Sequence, residues 1–154
     1  MRSRAIRTLL TISATVGALL AGTAATAGAD PSSPLQDRVD RYLAGIPGSH
    51  QVAADQISIP GGYLTVGSAV RKPCSRGWLC VWKYDNGFDS AQYYYCGTYA
   101  LNNWIGYGGL ENNQTEGTVS LFQDKNKKTL WKSVAYDFHD DVVNWTPIYY
   151  ITPC

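Results

Sequence analysis

The chain from residue 35 to residue 43 has apolar residues at the spacing of one helical face. The positions are i, i+4, i+7 and i+8, and they are occupied by Leu35, Val39, Tyr42 and Leu43. Ser33 can cap the first turn, and Gly45 and Pro47 stop the helix shortly afterwards. The pattern predicts a short N-terminal helix that follows a Pro/Ser-rich linker at residues 30–34.

From residue 57 onwards the period changes from that of a helix to that of a strand. Apolar and polar residues alternate in short runs, separated by turn residues at intervals of about 8–12 residues. The predicted strands lie at residues 57–59, 63–66, 78–84, 92–96, 119–123, 129–134, 142–145 and 148–151. Turns are predicted at Asp85-Asn86-Gly87 and at residues 124–127. Many short strands of this kind predict an all-β sandwich or barrel that carries one short helix.

The first 29 residues have the composition of a secretory signal peptide. Three arginines precede an apolar stretch at residues 9–20, and small residues continue to Ala29. Cleavage leaves a mature chain that starts at Gly28 or Asp30. An uncleaved membrane anchor is the alternative, although the apolar stretch is short for that purpose. Because residues 30–154 contain no run of about 20 apolar residues, we expect a secreted, extracellular protein with no membrane contact once the leader is removed.

The charge of the chain argues against one class of partner. The chain has 13 Lys and Arg and 12 Asp and Glu, but three of the bases lie in the leader, so residues 30–154 hold ten bases and twelve acids. A faintly acidic body offers no electrostatic footprint for nucleic acid. We expect no nucleic-acid partner, and we expect the protein to be a monomer.

Four cysteines fall in the mature part of the chain and predict two disulfides, which form outside the cytoplasm. Three pairings are possible. The segment between Cys74 and Cys80 contains Ser and Gly residues that can turn the chain back, which favours this pair and leaves Cys96 to bond with Cys154. Neither spacing is that of the CxxC pairs in zinc sites, so a cysteine-bound metal is disfavoured.

Few residues of the chain could perform catalysis. The histidines are His50 and His139, and the one local group of ionisable residues is His139-Asp140-Asp141. Neighbours along a strand point to opposite faces, so these side chains would not converge on a substrate. No G-x-S-x-G or H-E-x-x-H motif occurs. We interpret residues 139–141 as a solvated acidic loop, and we expect neither an enzyme nor a bound cofactor.

Aromatic residues are abundant, with 11 Tyr, five Trp and three Phe, and they need an explanation of their own. The run Tyr93-Tyr94-Tyr95 must place some rings outward, because successive strand side chains alternate between faces. Packing over a thin core is one explanation, and a surface that stacks sugars or binds proteins is the other. Tyr94 and Trp104 are the candidate binding residues under the second explanation.

The segment Cys74-Ser75-Arg76-Gly77-Trp78-Leu79-Cys80 resembles the Cys-x-x-Gly-aromatic-x-Cys opening of a family of secreted actinomycete peptidase inhibitors, typified by the Streptomyces metalloproteinase inhibitor. A strand and an Asp/Asn turn follow in both, and residues 145–154 are similar as well. The resemblance implies a βγ-crystallin-like Greek-key sandwich at residues 73–154. A helix and strand extension at residues 30–72 would precede it.

The same resemblance implies a function, namely that a rigid loop blocks the cleft of an extracellular protease. No segment matches an inhibitory-loop motif, so the loop is not assigned from the sequence. The aromatic residues support an alternative function. The protein would then be an extracellular carbohydrate-binding or cell-wall-binding module, or an antimicrobial toxin-like module.

Calcium sites of the crystallin type combine a pair of Asn or Asp residues with hydroxyl residues shortly afterwards. Asp140 and Asp141 keep the acidic pair, but Val142, Val143 and Asn144 provide no hydroxyl. Since calcium takes about 6–8 oxygen ligands, Asp140 and Asp141 are weak candidates for metal binding.

Overall fold

A computed structural model describes residues 33–84 and 87–154, apart from the side chain of Asp141. The leader predicted at residues 1–29 and the first two residues of the predicted turn at 85–87 lie outside these ranges. The described residues form one helix and eleven strands: α1 (Pro34–Gly45), β1 (His50–Ala53), β2 (Gln56–Ile59), β3 (Gly62–Ser68), β4 (Trp78–Tyr84), β5 (Phe88–Tyr93), β6 (Tyr99–Ala100), β7 (Tyr107–Asn113), β8 (Val119–Gln123), β9 (Thr129–Val134), β10 (Asp137–Asn144) and β11 (Tyr150–Thr152).

Helix α1 is the helix that the apolar spacing predicts. The Ser33 side chain accepts a hydrogen bond from the backbone N–H of Gln36 at 3.1 Å and caps the first turn. At the other end, the N–H of Ile46 donates to the carbonyl of Tyr42 at 2.9 Å. Val39 and Tyr42 are buried. The apolar face therefore docks the helix against the strands.

Strand pairing divides the described strands between two antiparallel sheets. The larger sheet has the order β1-β2-β3-β5-β4-β7-β10, and the smaller one has the order β6-β11-β8-β9. Strand β6 follows β5 in the chain but pairs with β11, and β10 follows β9 but pairs with β7. These two exchanged strands tie the sheets together. The predicted all-β fold with one short helix is confirmed, whereas its Greek-key character stays a prediction.

One apolar core joins the helix to both sheets. Its almost fully buried members include Val39 of α1, Leu64 of β3, Leu110 of β7 and Phe122 of β8. The described part of the predicted extension, residues 33–72, thus shares its core with the rest of the described chain, and β3 pairs directly with β5 in the larger sheet.

Both disulfides have the pairing that the spacing favours. Cys74 is bonded to Cys80 and Cys96 to Cys154, and none of the cysteines is free. Across the part of the chain that the structure describes, no helix has the length and apolar content needed to cross a bilayer. The oxidised cysteines are compatible with a protein that functions outside the cytoplasm.

Several predicted strands have different boundaries in the structure. The strand that returns from β4 is β5, at Phe88–Tyr93, rather than residues 92–96. The sequence does not predict the first half of β5 as a strand, because Asp89 and Ser90 are polar. Both residues are nevertheless buried, and Asp89 is hydrogen-bonded to a partner from another element. The last two strands are β10 and β11 rather than residues 142–145 and 148–151.

Residues 139–141 lie inside β10, so their interpretation as an acidic loop is wrong. The strand pairs with β7 up to His139 and again from Val143, and the register shifts between these points. Such an irregularity breaks the alternation of apolar and polar residues from which a strand is predicted.

Strands β1, β6 and β7 are not indicated by the pattern, although β7 lies between β4 and β10. Leu110 is its one aliphatic residue. A side chain at Gly109 would collide with the indole of Trp82, so glycine allows the ring to lie on the strand. Asn112 is fully buried, and its Nδ2 donates to the carbonyl of Ser133 at 3.1 Å. Tertiary partners make this Gly-rich and polar segment a strand.

Candidate functional site

The segment between β5 and β6 is an exposed loop, called here the braced loop (residues 94–98). The N–H groups of Tyr94 and Tyr95 both donate to the carbonyl of Gly61, at 2.8 and 3.3 Å. Gly61 lies in the turn between β2 and β3. The loop therefore starts from a fixed point at the end of the larger sheet.

The second half of the braced loop is held by side chains. Cys96 carries the disulfide to the end of the chain. The single proton of the Tyr99 hydroxyl is shared between the carbonyls of Tyr95 and Cys96, with O···O distances of 3.1 and 3.0 Å. The hydroxyls of Thr98 and Thr152 are hydrogen-bonded at 2.8 Å. The backbone of the loop is thus fixed along its length while most of its side chains face solvent.

Four aromatic side chains form a continuous surface beside the braced loop, and we call them the aromatic cluster: Tyr63, Trp78, Tyr94 and Tyr95. The ring centroid of Trp78 lies 6.4 Å from that of Tyr63 and 5.1 Å from that of Tyr94. Tyr94 and Tyr95 meet edge to face at 5.3 Å. Tyr63 is 44% exposed, Tyr94 51% and Tyr95 66%, and Trp78 is half-buried. Contiguous exposed rings of this kind are typical of a binding surface.

Strand register brings the cluster together from three segments of the chain. Tyr63 of β3 is opposite Gln92 of β5, and Gln92 is opposite Cys80 of β4. Trp78 precedes Cys80 by two residues and so points to the same face of the sheet. Leu64, the neighbour of Tyr63, points into the core. The cluster therefore belongs to the outer face of the larger sheet.

A shallow depression of about 370 Å³ lies against the aromatic cluster. It is lined by Ser58, Ile59, Gly61, Gly62, Tyr63, Trp78, Tyr94 and Tyr95. A side chain at Gly62 would collide with the carbonyl of Gln92, because β3 and β5 approach closely at that point. Among the described residues, none that lines the depression is charged. The depression combines ring faces, glycines without side chains and a few hydroxyl groups.

Tyr94 and Trp104, the two candidate binding residues, have opposite environments. Tyr94 is exposed in the aromatic cluster, as a binding role requires. Trp104 is 3% exposed and packs against Tyr42 of α1, with ring centroids 6.3 Å apart. Lys83 Nζ lies 5.8 Å from the centre of the Trp104 ring. Trp104 is therefore not an outward ring for stacking, because contacts from other elements bury it in the core.

The candidate calcium ligands lie in β10. Asp140 is exposed, and the neighbouring His139 is paired through Nε2 with Oδ1 of Asp137 at 3.0 Å. Among the described residues, which leave out the side chain of Asp141, no three His, Cys, Asp or Glu side chains converge as a metal site.

Tyr93 packs beneath Tyr99, the residue whose hydroxyl holds the braced loop. Its ring is buried and stacks on the Tyr99 ring, with centroids 5.4 Å and planes 12° apart. Burial, and to a lesser extent the neighbouring Tyr99, raises the pKa of the Tyr93 hydroxyl well above its ordinary value. Tyr93 is therefore neutral at physiological pH and serves as packing beneath Tyr99.

Tyr63 and Trp78 are site residues that sequence reasoning did not single out. The alternation at residues 63–66 contains a usable signal, because Leu64 and Val66 are core residues and Tyr63 must then point outward. No pattern along the chain indicates that Tyr63 and Trp78 meet, since β5 separates their strands in the sheet.

No protein-family model, curated protein or solved structure matches the chain. Fold and site together define a class of protein: an all-β protein with one short helix, two disulfides and an exposed aromatic surface next to a braced loop.

Proposed function

We propose that this protein is an extracellular peptidase inhibitor that places the braced loop in the cleft of its target. One observation supports this function above others: residues 94–98 are exposed, yet hydrogen bonds to Gly61, the Tyr99 hydroxyl and a disulfide hold them in one conformation. A loop that is ordered before binding loses little conformational entropy in the complex. More of its contact free energy therefore appears as affinity.

Secretion is part of the same proposal. The predicted leader at residues 1–29 would export the chain, and its two disulfides would form outside the cytoplasm. The exchange of β6 and β10 between the sheets supports a βγ-crystallin-like Greek-key arrangement, and with it the resemblance to the actinomycete inhibitors. A single loop is sufficient to block a cleft, so the protein would act as a monomer.

Tyr95 is the side chain that we expect to enter the cleft, because it is the most exposed ring of the braced loop. Tyrosine and tryptophan are the residues that most often dominate the free energy of protein interfaces. The carbonyls of Tyr95 and Cys96 accept hydrogen bonds from Tyr99, so they are turned toward the body of the protein. We therefore expect the loop to fill the cleft without being cleaved as a substrate.

An inhibition panel tests this function. The mature protein is titrated against a metallopeptidase, a serine peptidase and a cysteine peptidase, and we expect near-stoichiometric inhibition of one class. Tyr95→Ser should raise the inhibition constant about tenfold or more, because it removes an interface anchor. The matched control is Tyr107→Ser, which changes a tyrosine of similar exposure at the end of β7 remote from Trp78. Full activity of all three classes at a large molar excess of wild-type protein would contradict the proposal.

A second variant tests the rigidity of the loop. Tyr99→Phe removes the hydroxyl that holds the carbonyls of Tyr95 and Cys96 and keeps the ring that stacks on Tyr93. We expect weaker inhibition and slow cleavage within residues 94–98, detected by mass spectrometry of the reduced protein. Unchanged inhibition by Tyr99→Phe would show that the hydroxyl does not contribute to the function.

A further inference from the structure

We propose that the depression beside Tyr63 and Trp78 binds a neutral polysaccharide, whose sugar rings stack on the aromatic cluster. This is a second activity, and it does not depend on peptidase inhibition. The ligand class is a chain of uncharged hexose or N-acetylhexosamine units. That chemistry is shared by glucans, by chitin and, apart from their acidic peptide stems, by the glycan strands of bacterial cell walls.

The ring geometry suits a sugar chain. The apolar C–H face of a pyranose can cover an aromatic ring, while its hydroxyl groups remain in water or bond to polar atoms at the rim. The planes of Tyr63 and Trp78 are tilted by 32°, and those of Trp78 and Tyr94 by 46°. The three rings therefore form a curved platform, and consecutive units of a twisted chain can each face a different ring.

The uncharged lining of the depression favours an uncharged ligand. Ser58 and the tyrosines supply hydroxyl groups, Gly61 and Gly62 carry no side chain, and none of the described lining residues is charged. A charged ligand would lose hydration against the rings without gaining a counter-charge, which is unfavourable. The depression therefore complements a neutral glycan better than an acidic polymer.

The size and shape of the depression agree with this ligand. Ligand sites commonly occupy about 300–1,000 Å³ and combine aromatic walls with a few polar groups. The depression has about 370 Å³ and is shallow. A polymer can cross such a surface and continue beyond it at both ends, which a closed cavity would not permit.

A substitution at Tyr63 can test glycan binding separately from peptidase inhibition. Tyr63 lies in β3 and its ring contacts Trp78, whereas Tyr94 belongs both to the loop and to the aromatic cluster. A change at Tyr63 should therefore affect glycan binding and leave the loop in place.

The experiment measures retention of the protein on insoluble chitin, on an insoluble β-1,3-glucan and on bacterial peptidoglycan, each at low and at high salt. We expect at least one polymer to retain the wild-type protein, equally at both salt concentrations, because no ion pair is involved. The three polymers distinguish the sources of the ligand. The protein is then titrated with soluble oligosaccharides of the polymer that retains it. The change in Trp78 fluorescence gives the dissociation constant.

Tyr63→Ser should weaken glycan binding about tenfold or more, as expected for loss of one aromatic anchor. Trp78→Phe should weaken it as well and reduce the fluorescence change. Tyr107→Ser is the matched control and should bind as wild type, and thermal melts check that each variant is folded. Three results would each overturn the proposal: no retention on any polymer, loss of retention at high salt, or wild-type affinity in Tyr63→Ser. Failure of the inhibition panel would not affect these results, because Tyr63 lies outside the braced loop.

Discussion

The Tyr42 hydroxyl of α1 donates a hydrogen bond at 2.7 Å to Oδ2 of Asp89, a completely buried carboxylate of β5. Oδ1 of the same carboxylate accepts from Nη2 of Arg38 at 2.5 Å and from the N–H of Gly67 at 2.9 Å. Lys83 Nζ lies 3.5 Å from Oδ2. Charge-assisted hydrogen bonds of this kind are stronger than neutral ones. One carboxylate thus fastens the helix to the larger sheet.

Asp89→Asn should destabilise the protein strongly, because it leaves Arg38 and Lys83 facing a neutral amide. We expect the free energy of unfolding to fall by about 3–5 kcal/mol, measured by urea denaturation. The comparison is Tyr42→Phe, which removes one hydrogen bond to the carboxylate. We expect it to lower the free energy of unfolding by about 1.5–3 kcal/mol. A smaller loss for Asp89→Asn than for Tyr42→Phe would show that the carboxylate does not fasten the helix.

The two disulfides should differ in their contribution to stability. Cys96–Cys154 spans 58 residues and Cys74–Cys80 spans six. In the chain-entropy model the longer loop contributes about 4 kcal/mol and the shorter one about 2 kcal/mol, because closing a longer loop removes more entropy from the unfolded chain. Thermal melts of two double variants, with each pair changed to alanine, give the comparison. An equal or reversed order would argue against the entropic explanation for this protein.

The stability of the protein should fall at alkaline pH because of Tyr93. Burial raises the pKa of its hydroxyl in the folded state above the ordinary value of 10.0. Above pH 10 the unfolded chain loses this proton while the folded protein keeps it, so rising pH favours unfolding. The contribution is fully present below pH 10 and decreases by about 1.4 kcal/mol per pH unit above it.

Urea denaturation between neutral and strongly alkaline pH measures this effect of Tyr93. Tyr93→Phe should flatten the alkaline decrease in the free energy of unfolding, and the exposed Tyr107→Phe should leave it unchanged. Identical pH profiles for wild type and Tyr93→Phe would show that another group controls the decrease.

Calcium should have little effect on the melting temperature. An ion that binds only the folded protein raises the melting temperature by mass action. Asp140 and Asp141 supply few of the roughly 6–8 oxygens that calcium takes, and among the described residues no three His, Cys, Asp or Glu side chains converge as a metal site. Thermal melts in millimolar calcium and in chelator make the comparison. A rise of several degrees that disappears in Asp141→Ala would show that the pair forms a site.

Helix α1, β4, β8 and β9 could be predicted from the sequence, and so could the favoured cysteine pairing. In each case the determinants lie within a few residues of one another: the Ser33 cap, the apolar spacing of the helix and the turn residues between β8 and β9. Local sequence did not predict β7, because Gly109 and Asn112 are suited to a strand only through contacts with Trp82 and Ser133.

The sequence by itself predicted outward aromatic residues, on the assumption that Tyr93-Tyr94-Tyr95 lies in a strand whose side chains alternate between faces. In the structure β5 ends at Tyr93, and Tyr94 and Tyr95 are exposed in the braced loop instead. Only the tertiary structure decided which rings these are. Strand register joins Tyr63 and Trp78 to Tyr94, while packing against α1 buries Trp104. The physical reason is that a periodic pattern describes neighbours along the chain, whereas the exposure of a side chain depends on contacts between segments that are far apart in the sequence.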